Sequence, residues 1–232
     1  WMFEAEAVYF DLDGTLTDPK PGITRSIRYA MERIGREAPH EDTLTWCIGP
    51  PLRASFVTLV GEADAIVYDH LIADGVVGEA DADQAVKLYR ERFAETGLYE
   101  NALYPNIPEL LASLSGSPLY LATSKPQIFA ERILEHFEIG HHFKAVFGSE
   151  LDGQRADKTE LLAHALSNAG TSPSRSIMIG DREHDIRGAR ANGMMPWGVS
   201  YGYGSETELR KAGATRIFGS PGEVGAALRQ GL

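Results

Sequence analysis

The sequence predicts an α/β protein whose parallel sheet is interrupted by an all-helical insertion. Three observations predict it. A short apolar run, Ala5–Phe10, passes straight into Asp11-Leu12-Asp13-Gly14-Thr15. From Thr17 to Tyr99 the chain carries helical periods and no convincing strand. After Pro105, short apolar runs alternate with helical periods to the C-terminus, the pattern of a parallel sheet covered on both faces.

The elements follow in order. Val8, Tyr9 and Phe10 are adjacent, which suits a strand buried on both faces. Ile23, Ile27, Ala30, Met31 and Ile34 fall at helical spacing and stop before Gly35. Pro50 and Pro51 forbid helix in the loop Cys47–Pro51. Further helical stretches cover Arg53–Val60, Ala63–Asp74 and Asp83–Glu95. Helix Ile107–Leu114 precedes strand Pro118–Thr123, and helix Gln127–His136 precedes strand Ala145–Gly148. Helix Thr159–Ala169, closed by Gly170, leads to strand Ser176–Gly180. Helix Asp185–Ala191 leads to strand Trp197–Ser200; Gly202–Gly204 reads as a flexible turn, and Ala214–Gln230 as a last strand and helix.

Composition bounds the function. At 232 residues the chain exceeds the roughly 100–200 of one domain, as a core with an insertion would. Hydrophobic residues at 43 % and charged residues at 24 % exclude wholesale disorder. A net charge of −11 argues against nucleic-acid polymers, whose phosphates need clustered cations. The single cysteine, Cys47, excludes an internal disulfide and suits a reducing, cytoplasmic home. No apolar run is long enough for a membrane span, and no secretory signal pattern is expected at the N-terminus. Trp1 ahead of Met2 reads as an appendage or a trimmed start.

Parallel sheets bind ligands at the carboxyl ends of their strands. Three strands here end in capable residues: Asp11 and Asp13, Thr123 and Ser124, and Asp181. Strand alternation holds Asp11 and Asp13 on one side, where a divalent cation would relieve their repulsion; all-oxygen donors suit magnesium. Gly14 allows the turn that follows. Asp181 would add a ligand and Asp185 would orient it, although Asp185 could instead cap the next helix. Lys158 follows the Asp157-x-x-Glu160 capping pattern, where lysine, helix dipole and free amides could meet an anion together. Carboxylates, a cation, a hydroxyl and a lysine in one mouth are what phosphoryl transfer requires.

These motifs resemble those of the haloacid dehalogenase superfamily of phosphatases. Asp11-Leu12-Asp13-Gly14-Thr15, Thr123-Ser124-Lys125-Pro126, Lys158 and Gly180-Asp181 through Asp185 occur in the family's order across nearly the whole chain. The resemblance implies a Rossmann-like core over residues 2–16 and 100–232 and a helical cap over 17–99, placed as in phosphoglycolate phosphatases, some nucleotidases and β-phosphoglucomutases. It implies that Asp11 is the nucleophile and Asp13 the general acid and base. Magnesium would be held by Asp11, the backbone carbonyl of Asp13, Asp181 and Asp185, while Thr123, Ser124 and Lys158 bind the phosphoryl group. Asp13 also favours phosphoryl chemistry over dehalogenation, because a departing halide needs no proton.

The expected partner is a small phosphorylated metabolite, with phosphoglycolate first and a 5′-nucleotide or sugar phosphate as alternatives. Arg53, in the loop and helix start after Pro51, could pair an anionic leaving group or be a plain surface residue. Trp46 and Phe56 could wall a nucleobase or belong to a helical core. From another class, a phosphate-accepting receiver domain shares aspartates, a hydroxyl and a lysine, yet needs neither Asp13 nor the insert. Oligomeric state is not legible here.

Overall fold

The computed structural model describes residues 5–67 and 79–230, the side chains of 62–67 and 79 excepted. It divides into two compact units, residues 1–18 with 102–232 and residues 19–101.

The first unit is built on strands β1 (Ala7–Phe10), β4 (Leu119–Pro126), β5 (Ala145–Ser149), β6 (Ser176–Gly180), β7 (Met195–Val199) and β8 (Arg216–Phe218). They form one sheet in the order β5-β4-β1-β6-β7-β8, with every pairing parallel. All four residues of β1 are buried because both sheet faces are covered. Tyr9 and Ala7 pack on one face with Tyr120, Met178 and the apolar side of helix α6 (Lys158–Ala169). The Tyr9 hydroxyl, in a site that pushes it up to about 12 chiefly by burial, hydrogen-bonds the Thr171 hydroxyl at 2.6 Å. Helices α4 (Ile107–Ser113), α5 (Gln127–His136), α7 (Glu183–Ala191), α8 (Glu206–Ala212) and α9 (Pro221–Leu228) complete the α/β unit.

Two local expectations are corrected here. A two-residue strand, β2 (Thr17–Asp18), pairs antiparallel with β3 (Ala102–Leu103), forming a ribbon where the chain leaves and re-enters this unit. Two residues are too few for hydrophobic alternation to show. Helix α8 was not expected at all, although Ser205 caps it by accepting from the Glu208 amide and Gly213 ends it in the left-handed region.

The second unit contains α1 (Lys20–Arg33), a 3₁₀ helix (Glu41–Cys47), α2 (Leu52–Val67) and α3 (Glu79–Arg92), followed by a π-helical turn (Phe93–Gly97). The helix expected over Ala63–Asp74 lies largely outside the described residues; its first residues end α2. The 3₁₀ helix was not expected, for its seven residues are too few to show a period. Helix α3 packs against both α1 and α2. Phe56 is fully buried beside Tyr89, which stacks on Phe93 with centroids 5.3 Å apart, so Phe56 belongs to this core. Trp46 is 39 % exposed.

Glu100 ties this unit together. It accepts hydrogen bonds from Arg92 at 2.8 and 3.1 Å and from Arg25 at 3.0 Å. Burial works against its charge, but the two guanidinium groups outweigh burial and hold its carboxyl below the usual range. Glu100→Gln is expected to cost about 1–2 kcal/mol near neutral pH. Because the folded value is depressed, that stabilisation is present above about pH 4.3 and fades as pH falls through the folded value. Melting curves of both proteins from pH 7 to 3 should therefore converge; a constant gap would contradict the ion-pair account.

Candidate active site

The site forms where β1 and β6 end beside the middle of β4, because parallel neighbours in register bring Phe10, Leu121 and Ile179 level at one edge. The Asp11 amide still belongs to the ladder, donating to the Ile179 carbonyl at 2.9 Å. The chain then turns tightly, the Leu12 carbonyl accepting from the amides of Thr15, Leu16 and Thr17. Gly14 takes φ +81°, and a Cβ there would lie 2.2 Å from Asp181 Oδ2. Glycine is thus required by both conformation and space.

Asp11, Asp181 and Asp185 are buried, with one carboxylate oxygen from each lying within 4.8 Å of the others. Lys158, in the first turn of α6, donates to Asp11 Oδ1 at 2.8 Å and to the Ala122 carbonyl at 3.0 Å, and pairs with Asp185 Oδ1 at 2.8 Å. These three partners match the three protons of an ammonium. Asp157 caps the helix below it, accepting from the amides of Thr159 and Glu160. Asp185 takes the capping role, its Oδ2 accepting from the Arg182 amide at the start of α7, while its Oδ1 faces Lys158.

Three carboxylates against one ammonium leave two negative charges uncompensated in a buried space. Burial pushes the Asp11 carboxyl up to about 6, with Lys158 opposing and Asp185 adding repulsion. Asp181 is also held well above the carboxylate range, by burial first and then by Asp185 and Asp11. Burial disfavours charge on Lys158, but Asp11 and Asp185 outweigh it and hold the group cationic. An all-oxygen donor set that resists ionisation without a cation fits a hard divalent ion.

The other expected residues divide. Thr123 is buried inside β4, which runs on to Pro126 rather than ending at Thr123 as expected, and its hydroxyl oxygen accepts from the Lys125 amide at 3.3 Å. The Ser124 carbonyl accepts from the Ser149 hydroxyl, which fixes β4 against β5. Asp13 is buried at the same mouth, but its side chain stands outside the carboxylate triad: Oδ2 lies 2.8 Å from Lys125 Nζ. Arg53 lies in the second unit at the start of α2, where its Nε pairs with Asp83 at 2.8 Å.

Two features were missed in sequence. Lys125 joins the site through Asp13, and only its alternation with Thr123 along β4 hinted at it. Gly202–Gly204, expected as a flexible turn, is instead wrapped tightly around Asp181. The Tyr203 amide donates to Asp181 Oδ2 at 2.8 Å, and a Cβ at Gly204 would sit 1.9 Å from the Asp181 carbonyl oxygen. The Tyr203 hydroxyl meets Asp18, and the Tyr201 hydroxyl donates to the Thr15 carbonyl at 2.9 Å, closing the loop over the Asp11–Thr15 turn. Gly204→Ala should cost about 1–3 kcal/mol, since backbone rather than a mobile side chain opposes the new methyl. An unchanged melting temperature would contradict this packing.

Comparison with known proteins agrees with the geometry. The family of haloacid dehalogenase-like hydrolases matches residues 8–199. A 5′-nucleotidase of Pseudomonas aeruginosa is 48 % identical, over 97 % of this chain and 94 % of its own. The tyrosine-protein kinase PtkA of Mycobacterium tuberculosis is 39 % identical over 91 % of this chain and 68 % of its own. A phosphoglycolate phosphatase of Pseudomonas putida is 29 % identical over 84 % of this chain and 70 % of its own. Among solved structures, a predicted phosphatase from Clostridium acetobutylicum superposes with a TM-score of 0.86 at 37 % identity, covering 98 % of this chain and 99 % of that one. Matching along most of the chain and carrying the paired aspartates at the strand ends, this protein belongs to the haloacid dehalogenase-like hydrolases and is an enzyme of their phosphatase kind.

Proposed function

We propose that the chain is a magnesium-dependent phosphomonoesterase working through an aspartyl phosphate on Asp11, with nucleoside 5′-monophosphates as its preferred substrates. The observation that carries the chemistry is the buried triad of Asp11, Asp181 and Asp185 held against Lys158. The substrate preference rests on the 48 % identity to a 5′-nucleotidase along nearly the whole chain. The motifs alone match phosphoglycolate phosphatases and nucleotidases equally well, and this identity favours the nucleotidase, the alternative expected from sequence.

Magnesium held by Asp11, Asp181 and Asp185, with the Asp13 backbone carbonyl as a further ligand, would supply positive charge to the phosphoryl oxygens. Asp11 attacks phosphorus as the bond to the leaving oxygen breaks, and Asp13 gives that oxygen its proton. Asp13 then removes a proton from water, whose oxygen attacks phosphorus and releases Asp11. Thr123 donates its hydroxyl to the phosphoryl group, Ser124 borders it, and Lys158 offsets its charge. A cytoplasmic setting completes the reading; no helix among the described residues is long and apolar enough to cross a membrane.

The test is multiple-turnover release of free phosphate, with magnesium, from nucleoside 5′-monophosphates, phosphoglycolate and hexose 1-phosphates. The proposal expects the highest kcat/KM with a nucleotide. Phosphoglycolate ahead of every nucleotide would overturn the substrate assignment. Isomerisation without free phosphate, or transfer to a protein hydroxyl, would overturn the hydrolase reading itself.

A further inference from the structure

Lys125 belongs to the site but has no task in the proposed chemistry. Its side chain is 7 % exposed, in the last turnless stretch of β4, and its ammonium lies 2.8 Å from Asp13 Oδ2. The Asp13 side chain is itself 10 % exposed. The two groups make a close ion pair rather than an aligned hydrogen bond, and Asp13 Oδ1 is buried with no hydrogen-bond partner among the described residues. The site therefore holds two separate acid–lysine sets. Lys158 holds Asp11 and Asp185, whereas Lys125 pairs with Asp13.

A carboxyl group can turn about its last bond and present either oxygen. Lys125 removes that freedom by engaging Oδ2. It leaves Oδ1, and burying a carboxylate oxygen with no partner destabilises the fold. Such a cost is understandable where a reacting group arrives to meet that oxygen.

We propose that Lys125 is a positioning residue, which grips Asp13 Oδ2 so that Oδ1 faces the oxygen of the departing group. The inference rests on the proposed function, in which Asp13 is the acid and base. The proton travels from Oδ1 to the leaving oxygen as the phosphorus–oxygen bond breaks and its electron pair passes to that oxygen. In the second half, water returns a proton to Oδ1 while its oxygen bonds to phosphorus and the Asp11 oxygen departs with its electron pair.

The test compares leaving groups on the full chain with magnesium. p-Nitrophenolate leaves without help, while the alkoxide of an alkyl phosphate needs a proton. Lys125→Met should lower kcat about 10²-fold or more on the alkyl ester and less than about tenfold on p-nitrophenyl phosphate, with KM little changed on either. Lys125→Arg should restore part of the alkyl activity, and Lys125→Gln provides a second removal if the Met variant melts early. Asp13→Asn must show the same dependence on leaving group. If it does and the Lys125 variants lose equally on both esters, the positioning role fails while the catalytic reading stands. Raised KM with weaker inhibition by inorganic phosphate would likewise overturn it, placing Lys125 on the phosphoryl group. If Asp13→Asn itself loses equally on both, the acid assignment fails and the role of Lys125 with it.

Discussion

Asp11→Asn abolishes turnover and leaves the protein folded: the expected loss in kcat is on the order of 10⁴-fold or more, as when other enzymes lose their nucleophile. An amide nitrogen or oxygen cannot form the acyl phosphate at a useful rate, and the shape of the side chain is kept. The fold should not suffer, because burial already works against the Asp11 charge and pushes its carboxyl up to about 6. Lys158 keeps Asp185 and the Ala122 carbonyl as partners. The melting temperature without metal is therefore expected to stay level or rise. Asp185→Asn would separate this from a general effect of charge, since it removes a neighbour of Lys158 without removing the nucleophile. Steady-state kinetics and melting curves on purified proteins check both points. Activity within tenfold of the parent would end the assignment of Asp11 as nucleophile.

Chelation is the second large effect. Removing divalent cations should abolish activity, and restoring magnesium should recover it. Three buried carboxylates facing one ammonium also make cation binding a stabilising event in its own right. At about a hundred times the dissociation constant, a ligand specific for the folded state adds about 2.7 kcal/mol. For a chain of this size that corresponds to roughly 5–10 °C in melting temperature. Asp181→Asn should shrink that shift, because one of three ligand carboxylates is lost while Asp11 and Lys158 remain paired. Equal shifts in the parent and the Asp181 variant would mean that the cation binds elsewhere.

Much of the architecture was legible because the relevant signals are local. The run Val8–Phe10 is apolar at every position, which a strand buried on both faces requires, and β1 has that burial. Helix α5 spans Gln127–His136 as its period predicts. What escaped notice was short or lacked a period: the ribbon of β2 with β3, the 3₁₀ turn at Glu41–Cys47 and the two-turn helix α8. The Ser205 and Gly213 signals for α8 were present, yet the glycines before it suggested looseness. Their reason is contact with Asp181, and close contact of backbone with a distant residue leaves no trace in composition.

Period and order are enough to bring aspartates, hydroxyls and a lysine to one sheet edge, since they imply a parallel sheet and the sheet implies that shared edge. The sequence by itself also determined which residues were candidates for chemistry, through Asp11 and Asp13 at spacing two and Lys158 after its cap. How those residues pair is set by the fold in three dimensions. Asp185 and Asp11 share Lys158 although they stand 174 positions apart in the chain, whereas Asp13, two residues from Asp11, turns instead to Lys125. Charges buried together choose partners by distance and desolvation, and both depend on where strands from remote parts of the chain come side by side.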